Sequence, residues 1–156
     1  MKPKFIDYYM RIAEVTADLS YAKRLHVGAV IVKENQILAT GYNCMPSGWD
    51  NVCEYEEEVM VSEFGKKTYF EKTGLVKTKP EVLHAETNAI AKVAQSTESS
   101  LGATLFCTHS PCIECAKLIY QSGINTVYYK ENYRDDQGIK FLKLSGVNVH
   151  QYTHSL

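Results

Sequence analysis

Two short segments carry residue types able to do chemistry together: His84-Ala85-Glu86 and Pro111-Cys112-Ile113-Glu114-Cys115. Cys112 and Cys115 are three apart in a first helical turn, so both thiols can face one point. His84 opens another helix, with Glu86 two residues into it. Helix N-termini present unpaired N–H groups and partial positive charge, which favour thiolates. Two thiolates and an imidazole make a three-ligand tetrahedral zinc site with one position open to water, the pattern of a catalytic zinc. Zinc lowers the pKa of that water, so hydroxide becomes accessible near neutral pH. Glu86 then suits proton transfer, taking a proton from the water and passing it to the reacting group, a task that needs a carboxyl but not a ligand.

Other readings of the same residues stay open. Cys112 and Cys115 could be a redox pair, although His84-x-Glu86 and Pro111 would then be unexplained. They could be half of a structural four-ligand zinc, with Cys53 as the spare ligand. Cys44 and Cys53 could hold a second zinc, but no second Cys/His pair within 43–80 supports it. Cys107 alternates with apolar neighbours and reads as a small buried hydrophobe.

The elements that must position these groups follow from periodicity. Residues 4–19 place Phe5, Tyr8, Tyr9, Ile12, Val15 and Leu19 at three- and four-residue steps, an amphipathic helix. VGAVIVK (27–33) and QILATGY (36–42) flank Glu34-Asn35 as a β-hairpin. The small residues Gly28 and Ala29 on a buried strand imply close packing there. Residues 43–80, at 38 residues, form the irregular part, either functional or holding small elements of its own. It contains Pro46, Trp49, the EYEEE run (54–58), which could be a solvated helix face, and a basic turn at 65–67. Further on, helices are expected over 84–95, 112–122 and 136–145, and strands over 103–108, 126–130 and 147–152. An initial hairpin followed by alternating helices and strands predicts an α/β fold: a five-stranded mixed sheet in a three-layer α/β/α arrangement.

Composition bounds the function. The 156 residues suit one domain over 1–156, and 45% hydrophobic with 22% charged is ordinary globular usage. Lys plus Arg number 17 against 18 Asp plus Glu, a formal net charge of −1. The charges are spread evenly, with no basic arm to hold a polynucleotide by its phosphates. No apolar run is long enough to span a membrane, and MKPKFIDYYMR lacks an apolar signal core. Five cysteines without a secretory signal lead us to expect reduced thiols and a cytoplasmic location.

His-x-Glu followed by Pro-Cys-x-x-Cys is the signature of zinc deaminases. With DYYMRIA (7–13), VGAVIV (27–32), GYN (41–43) followed by MPSG, HAETNAI (84–90) and SPCIECAKLIYQSGI (110–124), the chain resembles the deoxycytidylate branch of the cytidine and deoxycytidylate deaminases over most of its length. The resemblance implies His84, Cys112 and Cys115 as ligands of one catalytic Zn²⁺ and Glu86 as proton shuttle. It implies hydrolytic loss of ammonia from dCMP, giving dUMP for thymidylate synthesis.

By the same resemblance Asn43 would hydrogen-bond the base or sugar, the competing reading being a turn residue that caps a strand. Val27 and Ala29 would line the base, and Ser20 matches a phosphate-binding serine. Leu19 stands where the family carries an arginine, leaving Lys23 and Arg24 either to replace it or to be plain solvated cations. Tyr133 would close on the nucleotide with Arg134, while Tyr128 and Tyr129 read as sheet or subunit packing. The family is typically homohexameric, activated by dCTP and inhibited by dTTP, each with Mg²⁺. That regulatory site would involve Tyr42, Cys44 and Trp49. Cys44 replaces the family's glycine, which would disturb effector binding through backbone strain or side-chain bulk. Two competing classes share the zinc site: a polynucleotide deaminase acting on tRNA or single-stranded DNA, and a non-catalytic zinc-stabilised module.

Overall fold

The structure, a computed structural model, describes residues 1–62 and 68–153. The basic turn expected at 65–67 lies outside them. A central mixed sheet has the order β2-β1-β5-β6-β7, formed by β1 (Gly28–Lys33), β2 (Gln36–Tyr42), β5 (Thr104–His109), β6 (Thr126–Glu131) and β7 (Asn148–Gln151). β1 runs antiparallel to β2 and β5, whereas β5, β6 and β7 are mutually parallel. The hairpin turn has Glu34 and Asn35 at φ of 50° and 62°, two left-handed residues whose twist matches the flanking strands.

β1 is buried on both faces. Val30 and Val32 join Phe106, Tyr9, Met10 and Ala13 beneath α1 (Pro3–Ala17). Ala29 and Ile31 point the other way, into a larger cluster with α2 (Ala85–Ala94), α3 (Ile113–Gln121) and α4 (Gln137–Leu144). The expected α/β/α layering and the mixed five-stranded sheet therefore stand, with the helices shifted by one or two residues at their ends.

The helices sit close to the hairpin because two glycines allow it. A Cβ on Gly28 would lie 2.0 Å from the Ala13 carbonyl oxygen, and one on Gly41 2.1 Å from that of Ala85. This approach corrects the expected face of α1. Tyr9, Met10, Ala13, Thr16 and Ala17 turn inward, while Tyr8, Val15 and Leu19 stay exposed at 53%, 68% and 57%. Only small side chains fit at the Gly28 crossing, so alanines displace the bulkier residues from the interface.

Residues 43–80 are not irregular throughout. β3 (Glu54–Val61) and β4 (Tyr69–Thr78) form a separate antiparallel ribbon rooted at the Glu54–Thr78 pair. The EYEEE run is therefore strand, not helix. Its acids face lysines across the ribbon, Glu56 with Lys72 and Glu57 with Lys77. Most of the ribbon is exposed, so no buried face imposed the alternation by which a strand is read from sequence.

Candidate active site

His84 is the residue just before α2, and Cys112 the residue just before α3. Cys115 lies in the first turn of α3, 1% exposed, anchored in the core beside Ala116 and Ile119. The two helix starts converge. His84 Nδ1 is 3.5 Å from Cys112 Sγ and 3.3 Å from Cys115 Sγ, and the three donor atoms lie within 4.8 Å of one another. A tetrahedral zinc, with bonds of about 2.0–2.1 Å to nitrogen and about 2.3 Å to sulfur, would set such N–S edges at roughly 3.5 Å. The donor set fits zinc.

The three groups of the trio share their protons unevenly. A hydrogen bond from the Cys115 thiol, with help from His84, lowers the Cys112 pKa to about 3 against the cost of its burial. The same hydrogen bond, with burial, pushes Cys115 up, and the Cys112 partner raises His84. Among the described residues these three form the whole metal-capable group. Cys53 sits apart, in a small cluster with Ala22, Met45 and Val82, so it is no fourth ligand here. Cys107 is fully buried in the main core.

Glu86 occupies the first turn of α2 and is 4% exposed. Burial pushes its carboxyl up, opposed by a hydrogen bond from its own backbone N–H and by the nearby His84. A carboxyl held this way, close to the metal-capable trio and facing a cavity, can both accept and return a proton.

A cavity of about 390 Å³ is lined by His84, Glu86 and Cys112 and by Arg24, Tyr133 and Arg134 among others. Val27 and Asn43 also line it. Asn43 grips the segment before β1 from both ends of its amide: Oδ1 accepts Val27 N–H at 2.8 Å and Nδ2 donates to the Leu25 carbonyl at 2.8 Å. The strand-capping reading of Asn43 is thus present alongside its place in the cavity wall.

Ala29 and Ser20 do not reach the cavity. Ala29 is fully buried between Gly41 and Cys107 in the sheet, one residue pair beyond the wall. The Ser20 hydroxyl donates to the Asn43 carbonyl at 2.7 Å and accepts Ala22 N–H at 3.2 Å. Lys23 is exposed outside the lining. Tyr133 donates its N–H to Ser110 Oγ at 2.7 Å, and the Arg134 guanidinium stands 5.4 Å from the Tyr133 ring centre. Tyr128 packs within the sheet, stacked between Phe106 and His150, and Tyr129 is buried in the main core.

Tyr42, Cys44 and Trp49 lie outside the cavity lining. Lys92 sits over the Tyr42 ring, Cys44 exchanges two backbone hydrogen bonds with Leu83, and Trp49 is 58% exposed. Among the described residues only Glu34 and Asn35 hold non-glycine side chains at positive φ, so Cys44 is unstrained. Side-chain bulk is the effect of this cysteine that is left.

Sequence reasoning missed Glu54, Thr78, His109, Ser110 and Asn132, all in the wall. His109 ends β5 three residues before Cys112, and the carboxyl end of a strand leading into the α3 start was a usable signal. Burial lowers its imidazole pKa. Nothing local marked Glu54 or Thr78, which arrive through ribbon pairing.

Residues 3–131 match the family described as the cytidine and deoxycytidylate deaminase zinc-binding region. The chain is 33% identical to a deoxycytidylate deaminase of Saccharomyces cerevisiae over 154 residues, covering 98% of this chain and 46% of the yeast protein, so it spans about half that relative's length. It is 34% identical to a deoxycytidylate deaminase of Mus musculus, covering 94% of this chain and 79% of the mouse protein. Its fold is similar to the crystal structure of dCMP deaminase from the cyanophage S-TIM5 in complex with dCMP and dUMP, with a TM-score of 0.81, 43% identity, and 97% and 99% of the two chains covered.

Proposed function

Because this chain belongs to the cytidine and deoxycytidylate deaminase family, we propose that it is a zinc-dependent enzyme converting dCMP and water to dUMP and ammonia. One observation carries the reading most directly. A buried carboxyl, Glu86, lines one cavity together with His84 and Cys112 of the His/Cys/Cys trio and with the cationic Arg24 and Arg134. That combination of acid–base, metal-binding and cationic groups suits a pyrimidine carrying a 5′-phosphate. The likeness to a cyanophage enzyme described with dCMP and dUMP points the same way.

His84, Cys112 and Cys115 would hold the zinc, which when bound supplies Lewis-acid activation of water. Water adds to C4 of the cytosine ring. Glu86 accepts the proton that the water gives up and passes it to ring N3. Glu86 then carries the proton of the new C4 hydroxyl to the C4 amino group, the C4–N bond breaks, and ammonia leaves as the C4 carbonyl of uracil forms. Val27 packs against the base, Asn43 orients it or the sugar, and Arg24 with Arg134 meets the phosphate. Tyr133, whose backbone is tied to Ser110, closes the open side. The even charge along the chain suits a free nucleotide over a polynucleotide.

The finer readings belong to the same proposal. The product dUMP would supply thymidylate synthesis, and the enzyme would work in the cytoplasm. Regulation by dCTP and dTTP with Mg²⁺ would act through Tyr42, Cys44 and Trp49, where Cys44 now narrows the site by bulk alone. Assembly into a homohexamer would cover the exposed apolar Tyr8 and Val15 on α1 and Leu19 just beyond it. Among the described residues no helix is long and apolar enough to cross a membrane. Loss of cytosine absorbance from dCMP, with and without dCTP or dTTP plus Mg²⁺, tests substrate and regulation together. Turnover of cytosine in oligonucleotides with none of dCMP would overturn the reading.

A further inference from the structure

The segment between α1 and β1 (residues 18–27) has no regular structure, yet it carries Arg24 into the cavity wall. A loop can place a guanidinium reproducibly only if its backbone is tied down. Asn43 ties residues 25 and 27. The Lys23–Arg24 peptides have a different holder. Glu54 Oε1 accepts Lys23 N–H at 2.8 Å and Arg24 N–H at 3.2 Å. Arg24 Nη1 also donates to Thr78 Oγ1 at 3.4 Å, and Thr78 is the ladder partner of Glu54 at the root of the ribbon.

A carboxylate in the wall that should receive an anion needs an explanation. Glu54 is 9% exposed and lines the cavity, so as a bare charge it would repel a phosphate. Two N–H donors on one of its oxygens give the acid another task. Charge-assisted bonds of this kind are stronger than neutral ones and set direction as well as distance. From this we propose that Glu54 is a positioning residue for the substrate phosphate: through the Lys23 and Arg24 amides, it fixes where the Arg24 guanidinium stands. The inference rests on the dCMP reading and adds to it a dependence of phosphate recognition on the ribbon root.

The test uses zinc-loaded protein with Glu54→Ala and Glu54→Gln. Against dCMP, Glu54→Ala is expected to raise KM about tenfold, the scale of one lost charge-assisted hydrogen bond, with kcat changed much less. Against deoxycytidine, which has no phosphate, kcat/KM should stay within about twofold of wild type. Glu54→Gln keeps an oxygen acceptor for the same two amides and should recover most of the loss, which also guards against a folding defect in the alanine variant. Limited trypsin digestion gives a readout independent of turnover. Cleavage after Lys23 and Arg24 should accelerate in Glu54→Ala while cleavage after the exposed Lys140 stays as in wild type. An unchanged ratio of dCMP to deoxycytidine efficiency, or trypsin cleavage at residues 23 and 24 no faster than in wild type, would overturn the inference. Absence of dCMP turnover in the wild type would overturn the deaminase reading instead, and the digestion would still decide whether Glu54 holds the loop.

Discussion

Two sets of side chains around the cavity are held by different physics. In the reacting set, His84, Glu86, Cys112 and Cys115 sit at the starts of two helices whose inner faces are core: Ala85, Ala89 and Ala116 are each 0% exposed. Their positions follow from dense apolar packing, in which a change of one methyl group is felt. In the recognition set, Arg24, Tyr133 and Arg134 stand on segments without regular structure, placed by a few polar side chains: Asn43, Glu54 and Ser110. Each such bond contributes only about 1 kcal/mol net, or somewhat more where a charge takes part. The lesson is one of tolerance. The chemistry is held by many contacts that fail together, and recognition by a few that fail one at a time.

That contrast predicts an order of sensitivity. The largest effect is expected from Cys112→Ala, which removes one of three metal donors. Bound zinc and deaminase activity should both disappear, as measured by metal analysis and by absorbance with dCMP. A variant that keeps one zinc per chain would break the assignment of the trio. Next is Glu86→Gln, expected to retain zinc and fold while kcat falls by at least about 10²-fold, the usual scale of general acid–base catalysis. An unaltered rate would remove Glu86 from proton transfer.

A smaller but telling effect is expected from Gly41→Ala, which touches neither substrate nor metal. The added methyl would meet the Ala85 carbonyl at 2.1 Å and push α2, with His84 and Glu86, off the sheet. Overpacking of this sort costs about 1–3 kcal/mol, so thermal unfolding should come earlier and kcat should drop more than KM rises. A normal kcat would mean that the reacting set is less dependent on its packing than the contrast claims. The smallest effect belongs to Asn43→Ala in the recognition set. Freeing residues 25–27 should raise KM for dCMP about tenfold, with kcat within about threefold and little change in unfolding temperature. A collapse of kcat there would show that the two sets are one mechanical unit.

The sequence by itself marked the His/Cys/Cys trio with Glu86 and the layering that supports them. His84-x-Glu86 and Cys112-x-x-Cys115 are local patterns, and the helices and strands around them bury one face each, which leaves a period in the chain. Their convergence could be read because zinc demands a known donor set in a known geometry. Only the tertiary structure decided the rest. It turned the alanine face of α1 inward, since Gly28 admits nothing larger at the crossing, and it drew a ribbon where an acidic run gave no alternation. It took Ala29 and Ser20 out of the cavity wall and brought in Glu54 and Thr78, which lie 30 and 54 residues from Arg24 along the chain. Such contacts are made between isolated polar groups on segments with no buried face. They depend on where the chain returns in space, and a single sequence carries no periodic trace of that.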